Sequence, residues 1–271
     1  MCAFYEVSRS GYYDWKKQDV PEVSTDEKDL VVMIEECQRK NKQRLGYRRV
    51  ALWLAREKHL TVNHKRVLRI TRKYRLQSVI RRRRITRYKG NGDLQYENIL
   101  KRDFHANTPN EKWVTDISYI ITPGETLYLS AIRDLFDNFI VAFKTSNRQS
   151  YPLVEDTIKS ALSTERPKQN IIFHSDQGGQ YRSHEHWKIV QTNPLTPSMS
   201  APASPGDNAL AENFFSIFKT ECIYLDRPKT LEEATDLTRE FVEYYNYDRI
   251  QLIGSTPFET RRRWFDEHSM N

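Results

Sequence analysis

The chain has 271 residues, 38% of them hydrophobic and 29% charged, which is the composition of a globular protein with one large or two moderate domains. No apolar run reaches the roughly eighteen residues of a membrane-spanning helix, and residues 1–6 lack the basic start of a signal peptide, so we expect a cytoplasmic protein with no membrane partner. The three cysteines, Cys2, Cys37 and Cys222, are odd in number and widely spaced, which argues against a disulfide framework and a structural zinc site.

The net charge of +7 is concentrated in the first part of the chain. Residues 1–107 contain 26 Lys or Arg against 13 Asp or Glu, whereas residues 108–271 contain 17 against 23. Between residues 39 and 89 there are twenty basic residues and a single acid, Glu57. Such an excess predicts a polyanionic partner, and nucleic acid is the simplest candidate.

Residues 1–24 form an N-terminal segment, and residues 25–85 have the periodicity of a small helix-turn-helix domain with three helices. Asn63 is expected to cap the third helix, which begins at His64. The residues expected on the buried sides are Leu30, Ile34 and Cys37 in the first helix, Val50 and Leu54 in the second, and Val67, Ile70 and Tyr74 in the third.

The candidate DNA-binding side chains are basic and face away from those buried positions. In the second helix they are Arg48 and Arg49, and in the third they are His64, Lys65, Arg66 and Arg69. Arg81, Arg82, Arg83 and Arg84 follow as a run that grips phosphates rather than reads bases, and residues 86–107 are predicted to be a basic arm and linker. The alternative is a basic helix that is merely solvated, because basic helices are common.

From residue 108 to residue 271 strand-like and helix-like segments alternate, in the order of a ribonuclease-H-like α/β fold. Strands are predicted over residues 112–121, 127–135 and 139–145 and in the run that ends before Asp176, and helices over residues 151–163 and from near Ser183. Residues 194–207 contain four prolines and are predicted to be a mobile loop. Capping patterns at Thr230 and Thr256 predict two closing helices.

Three acids in this second region are candidates for one site. Asp116 and Asp176 lie in or just after strand-like runs, with 59 residues between them, and 35 residues separate Asp176 from Glu212. Glu212 and Lys219 lie about 20° apart around the same predicted helix, so that they share a face. Three converging carboxylates repel one another unless cations neutralise them, and oxygen ligands of this kind suit two Mg²⁺ or Mn²⁺ ions.

Other polar residues near these acids have two interpretations. His174 either orients DNA or is a satisfied structural histidine. Asp134 and Asp137 are interpreted as turn and strand-end residues. Tyr181, Tyr244 and Tyr245 could stack on DNA, but are interpreted as core residues.

The sequence around the acids resembles that of bacterial insertion-sequence transposases with a retroviral-integrase-like core, and most of all the insertion-sequence-three family. The matching stretches are residues 109–116 (PNEKWVTD), residues 174–178 (HSDQG), Asp207-Asn208-Ala209 with Glu212 and Phe214-Phe215, and Tyr245-Asn246 with Arg249. The resemblance covers nearly the whole chain. Residues 1–24 are similar to the usual start of the second-frame protein of this family.

The resemblance implies a nucleoid-associated bacterial enzyme that cleaves element ends in double-stranded DNA and transfers the freed 3′-hydroxyl. It implies that Asp116, Asp176 and Glu212 hold two metal ions and that Lys219 holds a phosphate. Synapsis of two ends calls for a homo-oligomer, and in this family a first-frame segment is fused by frameshifting. Two alternatives are a metal-dependent nuclease of the same fold and a non-catalytic DNA-binding regulator.

Overall fold

The structure is a computed structural model that describes Ser8 and residues 25–80, 95–202 and 204–268. The chain divides into two compact units, Met1–Val79 and Ile80–Asn271. Most of the predicted N-terminal segment and the run Arg81 to Arg84 lie outside the described residues. Of the helices in the described ranges, none has the length and apolar character to cross a membrane.

The first unit contains three helices, as predicted: α1 (Thr25–Lys40), α2 (Tyr47–Glu57) and α3 (His64–Lys73). Asn63 caps α3 by accepting a hydrogen bond from the backbone N–H of Lys65 at 2.9 Å. All the predicted core positions are buried except Tyr74, whose place is taken by Thr71. Because α3 ends at residue 73, Tyr74 leaves the helical repeat, and its hydroxyl donates to Glu27 at 3.3 Å.

The second unit is built on a five-stranded mixed sheet. Its strands are β1 (Lys112–Thr122), β2 (Glu125–Asp134), β3 (Ile140–Ser146), β4 (Ile171–Ser175) and β5 (Leu195–Met199), and their order across the sheet is β3-β2-β1-β4-β5. The first three strands pair antiparallel, and β4 and β5 are added parallel to β1. Since β1 lies at the centre, it contacts both halves of the sheet.

Helices follow the strands in the order that the sequence predicts. They are α4 (Tyr151–Glu165), α5 (His184–Gln191), α6 (Ala209–Phe218), α7 (Leu231–Glu243) and α8 (Pro257–His268). A 3₁₀ turn, Pro205–Asn208, precedes α6, and π-helical turns, Lys219–Ile223 and Tyr244–Asp248, follow α6 and α7; a further helical turn, Tyr224–Asp226, follows the first of these. Thr230 caps α7 and Thr256 caps α8, each by accepting a hydrogen bond from the backbone N–H of a glutamate three residues later.

Two apolar clusters pack in this unit. Because successive strand residues point to opposite faces, neighbouring residues of one strand reach different clusters. One cluster includes Trp113, Ile132, Val154 and Phe173 with residues of α5, and the other includes Ile120, Leu129, Phe214, Phe218 and Phe241. Phe214 and Phe218 attach α6 to the sheet, so the buried side of this helix determines which way its polar side points.

The prediction of a mobile loop over residues 194–207 is wrong for its first part. Residues Leu195–Met199 form β5, which pairs with β4. Pro197 misled the prediction, because proline lacks the N–H that a central strand needs. β5 is an edge strand, where that loss is tolerated.

The described part of the predicted linker, residues 95–107, is not an open tether. Leu100 and Ala106 are buried in a cluster with Val114 and Ala211. The backbone N–H groups of Ile99 and Leu100 both donate to Ser198 Oγ, at 2.9 and 3.1 Å. The linker was predicted from the glycine-containing residues 89–93, whereas the apolar residues Leu100 and Ala106 pack beside β1 and α6.

Candidate active site

Asp116 and Asp176 lie side by side at the centre of the sheet. Val114 of β1 stands opposite His174 of β4, and the strands are parallel. Two residues further along come Asp116, within β1, and Asp176, just after the end of β4, and their charges interact. Both side chains are partly buried. The parallel pairing thus brings together two acids that are separated by 59 residues in the sequence.

The acids interact electrostatically. Burial raises the pKa of Asp116 well above its usual value, and the negative charges of Asp176 and Glu212 raise it further, against the lowering effects of the Ile117 N–H and of Lys219. Burial also raises the pKa of Asp176, and the N–H of Gly178 opposes that rise. An excess of negative charge at one point favours a cation there.

One oxygen of each aspartate is held by a nearby backbone N–H. Ile117 donates to Asp116 Oδ1 at 2.7 Å, and Gly178 donates to Asp176 Oδ1 at 2.8 Å. A Cβ at residue 178 would lie 2.9 Å from Asp176 Oδ1, closer than such contacts allow. Within the described residues, neither Oδ2 accepts a hydrogen bond, so that each carboxylate keeps one oxygen for a ligand.

Glu212 lies in the first turn of α6, on its exposed side. The start of this helix is fixed to the sheet by two bonds. Asn208 Nδ2 donates to the carbonyl of Thr115 at 3.1 Å, and the guanidinium of Arg133 donates to the carbonyl of Leu210. Since Thr115 immediately precedes Asp116, the first bond joins the helix to β1 beside the first acid.

The apolar side of α6 differs slightly from the prediction. Phe214 and Phe218 are buried as expected, whereas Leu210 and Ile217 are only partly buried. Ala211 and Phe215 take the remaining buried positions.

Lys219 lies at the point where α6 gives way to the π-helical turn. Its Nζ stands 4.5 Å from the centre of the Tyr119 ring, which is itself exposed on β1. Burial lowers the pKa of Lys219, while the Asp116 carboxylate acts in the opposite direction. Lys219 is therefore within electrostatic reach of the acids, and Tyr119 is a contact that the sequence did not indicate.

His174 is a structural residue. It is fully buried, and its ring nitrogens are hydrogen-bonded to Ser198 Oγ at 2.8 Å and Ser200 Oγ at 3.2 Å. Burial lowers the pKa of His174 to about 4. A neutral, enclosed ring cannot orient DNA, which decides between the two interpretations of this residue.

Asp134 and Asp137 do lie at a strand end and in a turn, but they are fully buried around Arg261 of α8. The guanidinium donates to Asp134 at 2.6 Å, to Asp137 at 2.7 Å and to Glu165 at 2.7 Å. The acids therefore belong to a buried ion cluster and not to the candidate site. No signal in the sequence links Arg261 to acids more than a hundred residues earlier.

Most of the basic residues predicted to bind DNA in the first unit are exposed. His64, Lys65, Arg66 and Arg69 lie on the exposed side of α3, and on α2 Arg48 is exposed while Arg49 is partly buried. Arg69 also pairs with Glu27 of α1 at 3.0 Å, and Lys73 pairs with the same carboxylate at 2.8 Å. Arg81 to Arg84 are outside the described residues.

The donor set at the candidate site suits a hard divalent cation. Its members are carboxylates, with available oxygens on Asp116 and Asp176, and their mutual repulsion would be relieved by a cation. In the ranges that the structure describes, no group of three or more His, Cys, Asp or Glu side chains is arranged as a complete metal site. The exposed Glu212 would have to complete the ligand set from α6.

Comparisons with known proteins agree with this architecture. Integrase core domain families match residues 106–205 and 212–264, and an HTH-like domain family matches residues 24–84. The chain is 38% identical over 263 residues to the putative transposase InsK for insertion sequence element IS150 of Escherichia coli (strain K12), covering 96% of this chain and 92% of that relative. It is 34% identical over 230 residues to transposase InsF for insertion sequence IS3A of the same strain, covering 83% and 78%.

A solved structure shows the same fold. The chain matches a chain in the structure of the simian T-cell lymphotropic virus intasome in complex with PP2A regulatory subunit B56 gamma. The TM-score is 0.52 and the identity 14%, over 78% of this chain and 74% of that chain. The fold and the domain matches define a polynucleotidyl transferase of the DDE type, with a ribonuclease-H-like integrase core and an N-terminal HTH-like domain. The chain belongs to the insertion-sequence-three family of bacterial transposases, which carry out DNA transposition and integration.

Proposed function

We propose that this chain cleaves DNA at the ends of an insertion element and transfers the freed 3′-hydroxyl to a second phosphodiester, with Asp116, Asp176 and Glu212 as its catalytic acids. The observation that carries the proposal is the pairing of β1 with β4, which sets Asp116 beside Asp176. The charge of Glu212, acting at Asp116, supports the inclusion of the third acid.

In this proposal Asp116 would be a ligand of both of two Mg²⁺ or Mn²⁺ ions, Asp176 would be a ligand of one of them and Glu212 of the other. When bound, two such ions supply an activated nucleophile and neutralise charge on the attacking and leaving oxygens of an in-line displacement. The backbone N–H groups of Ile117 and Gly178 hold the two aspartates in orientation. No histidine or lysine is required as a general base.

Lys219 is proposed to hold a phosphate of the bound DNA. Its position over the Tyr119 ring keeps the ammonium near Asp116 without a direct carboxylate bond in the described residues. A lysine provides a compact point charge, which suits a phosphate oxygen.

The proposed partners are double-stranded DNA, both element ends and target, and further copies of the chain. Transposition has to hold two DNA ends together, which calls for at least a dimer on DNA. We also propose a first-frame segment as a fusion partner, which would supply further end-specific contacts. The setting is the bacterial cytoplasm, in association with the nucleoid.

The test is incubation of the chain, alone and fused to the proposed first-frame segment, with labelled element-end DNA and Mn²⁺, followed by separation of nicked and strand-joined products. The fusion is expected to give strand-joined products, and Asp116→Asn, Asp176→Asn and Glu212→Gln in the fusion are each expected to abolish them while DNA binding stays unchanged. Glu232→Gln, at an exposed position of α7, is the matched control. Nicked products without joining, even from the fusion, would favour a nuclease of the same fold, and a variant that still joins strands would remove its residue from the site.

A further inference from the structure

Asp207 is a buried acid immediately before the helix that carries Glu212, and the proposed mechanism gives it no role. It is only 4% exposed, yet it accepts three hydrogen bonds. Arg102 Nε donates to Oδ1 at 2.6 Å, and Asn98 Nδ2 and the N–H of Ala201 donate to Oδ2 at 2.9 and 3.0 Å. The contact with Arg102 lowers the pKa of Asp207, so that the carboxylate is charged at neutral pH.

Two of these donors come from the stretch over residues 95–107, which was predicted to be a linker. This stretch is itself fixed to the sheet, since the N–H groups of Ile99 and Leu100 donate to Ser198 Oγ and the N–H of Met199 donates to the Glu97 carbonyl. It therefore provides Asp207 with a rigid support.

The position of Asp207 determines where the next residues lie. Asp207 is part of the 3₁₀ turn that leads directly into α6. Its neighbour Asn208 bonds to the Thr115 carbonyl, one residue before Asp116, and Glu212 follows in the first turn of the helix. A shift of the turn would move Glu212 relative to Asp116, because the turn is directly continuous with α6.

We propose that Asp207, with Arg102 and Asn98, is a positioning group that fixes the start of α6 and thereby places Glu212 at the active site. The inference rests on the proposed role of Glu212. In this proposal the residues around Arg102 belong to the catalytic unit and do not act as a flexible linker. Residues that orient metal ligands from behind typically contribute about 10-fold to 100-fold in metal affinity or activity.

Arg102 offers the cleanest test, because its side chain is 61% exposed and its replacement leaves the core unchanged. Lys101→Ala is the matched control. Lys101 is an exposed neighbour of equal charge, and both residues have left-handed backbone conformations, with φ of 46° and 64°, so that alanine has the same backbone consequence at each. The variants are Arg102→Ala, Arg102→Lys, Asn98→Ala, Asp207→Asn and Lys101→Ala in the full chain.

The first measurement is the rate of nicking and joining at saturating element-end DNA in Mn²⁺, with each variant also carried in the fusion to the proposed first-frame segment, together with the DNA dissociation constant. Arg102→Ala is expected to lower the rate about 10-fold relative to Lys101→Ala with an equal dissociation constant. Arg102→Lys, which can keep the ion pair, is expected to recover most of the rate. Equal rates for Arg102→Ala and Lys101→Ala would overturn the proposal. A loss confined to DNA affinity would also overturn it, because Arg102 would then be a phosphate contact.

The second measurement does not depend on activity. Hydrogen exchange followed by mass spectrometry is expected to show faster exchange of the amides of residues 204–212 in Arg102→Ala and Asp207→Asn, with unchanged exchange in β4. Unchanged exchange over residues 204–212 would refute the positioning role even if the wild type shows no strand joining. An inactive wild type with the expected exchange result would instead count against the proposed catalytic function.

Discussion

At the scale of single residues, the geometry of the candidate site depends on small groups that carry no charge. Gly178 donates its N–H to Asp176, and its missing Cβ leaves room for the same carboxylate. Asn208 joins α6 to β1 through one amide bond. Such residues hold Asp176 in orientation and fix α6 beside Asp116.

Gly178→Ala is expected to reduce nicking and joining by about 10-fold or more, because a small displacement of Asp176, a proposed metal ligand, is costly to catalysis. The added Cβ would lie 2.9 Å from Asp176 Oδ1. Gly179→Ala is the control, since a Cβ there meets nothing within 4 Å. The measurement is the rate at saturating DNA, and equal rates for the two variants would contradict the expected crowding of Asp176.

At the scale of elements, α8 is attached to the sheet by the buried guanidinium of Arg261. This side chain contacts three carboxylates from β2, the turn after it and α4. A single guanidinium faces three carboxylates, so its removal leaves the buried acids without a positively charged partner.

Arg261→Met is expected to lower the free energy of unfolding by about 3–5 kcal/mol, the usual cost of breaking a buried ion pair. Burial and the charge of Asp137 raise the pKa of Asp134 to about 7, against the lowering effect of Arg261. An acid with a raised pKa in the folded state binds protons there preferentially, so its contribution to stability falls as pH rises from about 4 toward 7. Loss of Arg261 should steepen that fall.

Urea unfolding of the Arg261→Met variant at pH 5 and pH 8 measures both effects. Arg262→Met is the control, because Arg262 is exposed and its distance to Asp266 is 3.5 Å. A stability loss that is equal for the two variants would show that the buried cluster contributes nothing of its own.

The helices of the first unit carry a separate prediction. Replacement of Lys65, Arg66 and Arg69 by alanine is expected to weaken binding to element ends more than binding to unrelated DNA, because these side chains lie on the exposed side of α3. Replacement of Arg81 to Arg84 is expected to weaken binding to every sequence and to reduce the salt dependence, by about one unit of slope for each phosphate that the variant no longer binds. DNA-binding titrations at several salt concentrations distinguish the two sets of variants. An equal loss of specificity in both would disprove the assignment of end recognition to α3 and of general phosphate binding to Arg81 to Arg84.

At the scale of the whole molecule, the chain combines an HTH-like unit with an integrase core, and the described residues include no sustained heptad pattern that would pair two subunits. We therefore expect the isolated chain to bind DNA with strong salt dependence and weak preference for element ends, and to produce at most nonspecific nicking. The measurement compares this chain with a fusion to the proposed first-frame segment on paired element ends. Accurate joining by the chain alone, at the rate of the fusion, would show that no fusion is needed.

Sequence patterns are enough to predict the helices of the first unit, the order of strands and helices in the second, and Asp116, Asp176 and Glu212 as candidate acids. Those features depend on local patterns: apolar periodicity, caps such as Asn63, and acids at strand ends. The tertiary structure decided what depends on distant pairing. β5 forms because it pairs with the edge of β4. Arg261 binds Asp134, 127 residues away in the sequence, and Arg102 binds Asp207, 105 residues away. No local pattern records such contacts, since each side chain is equally suited to solvent until the fold brings its partner to it.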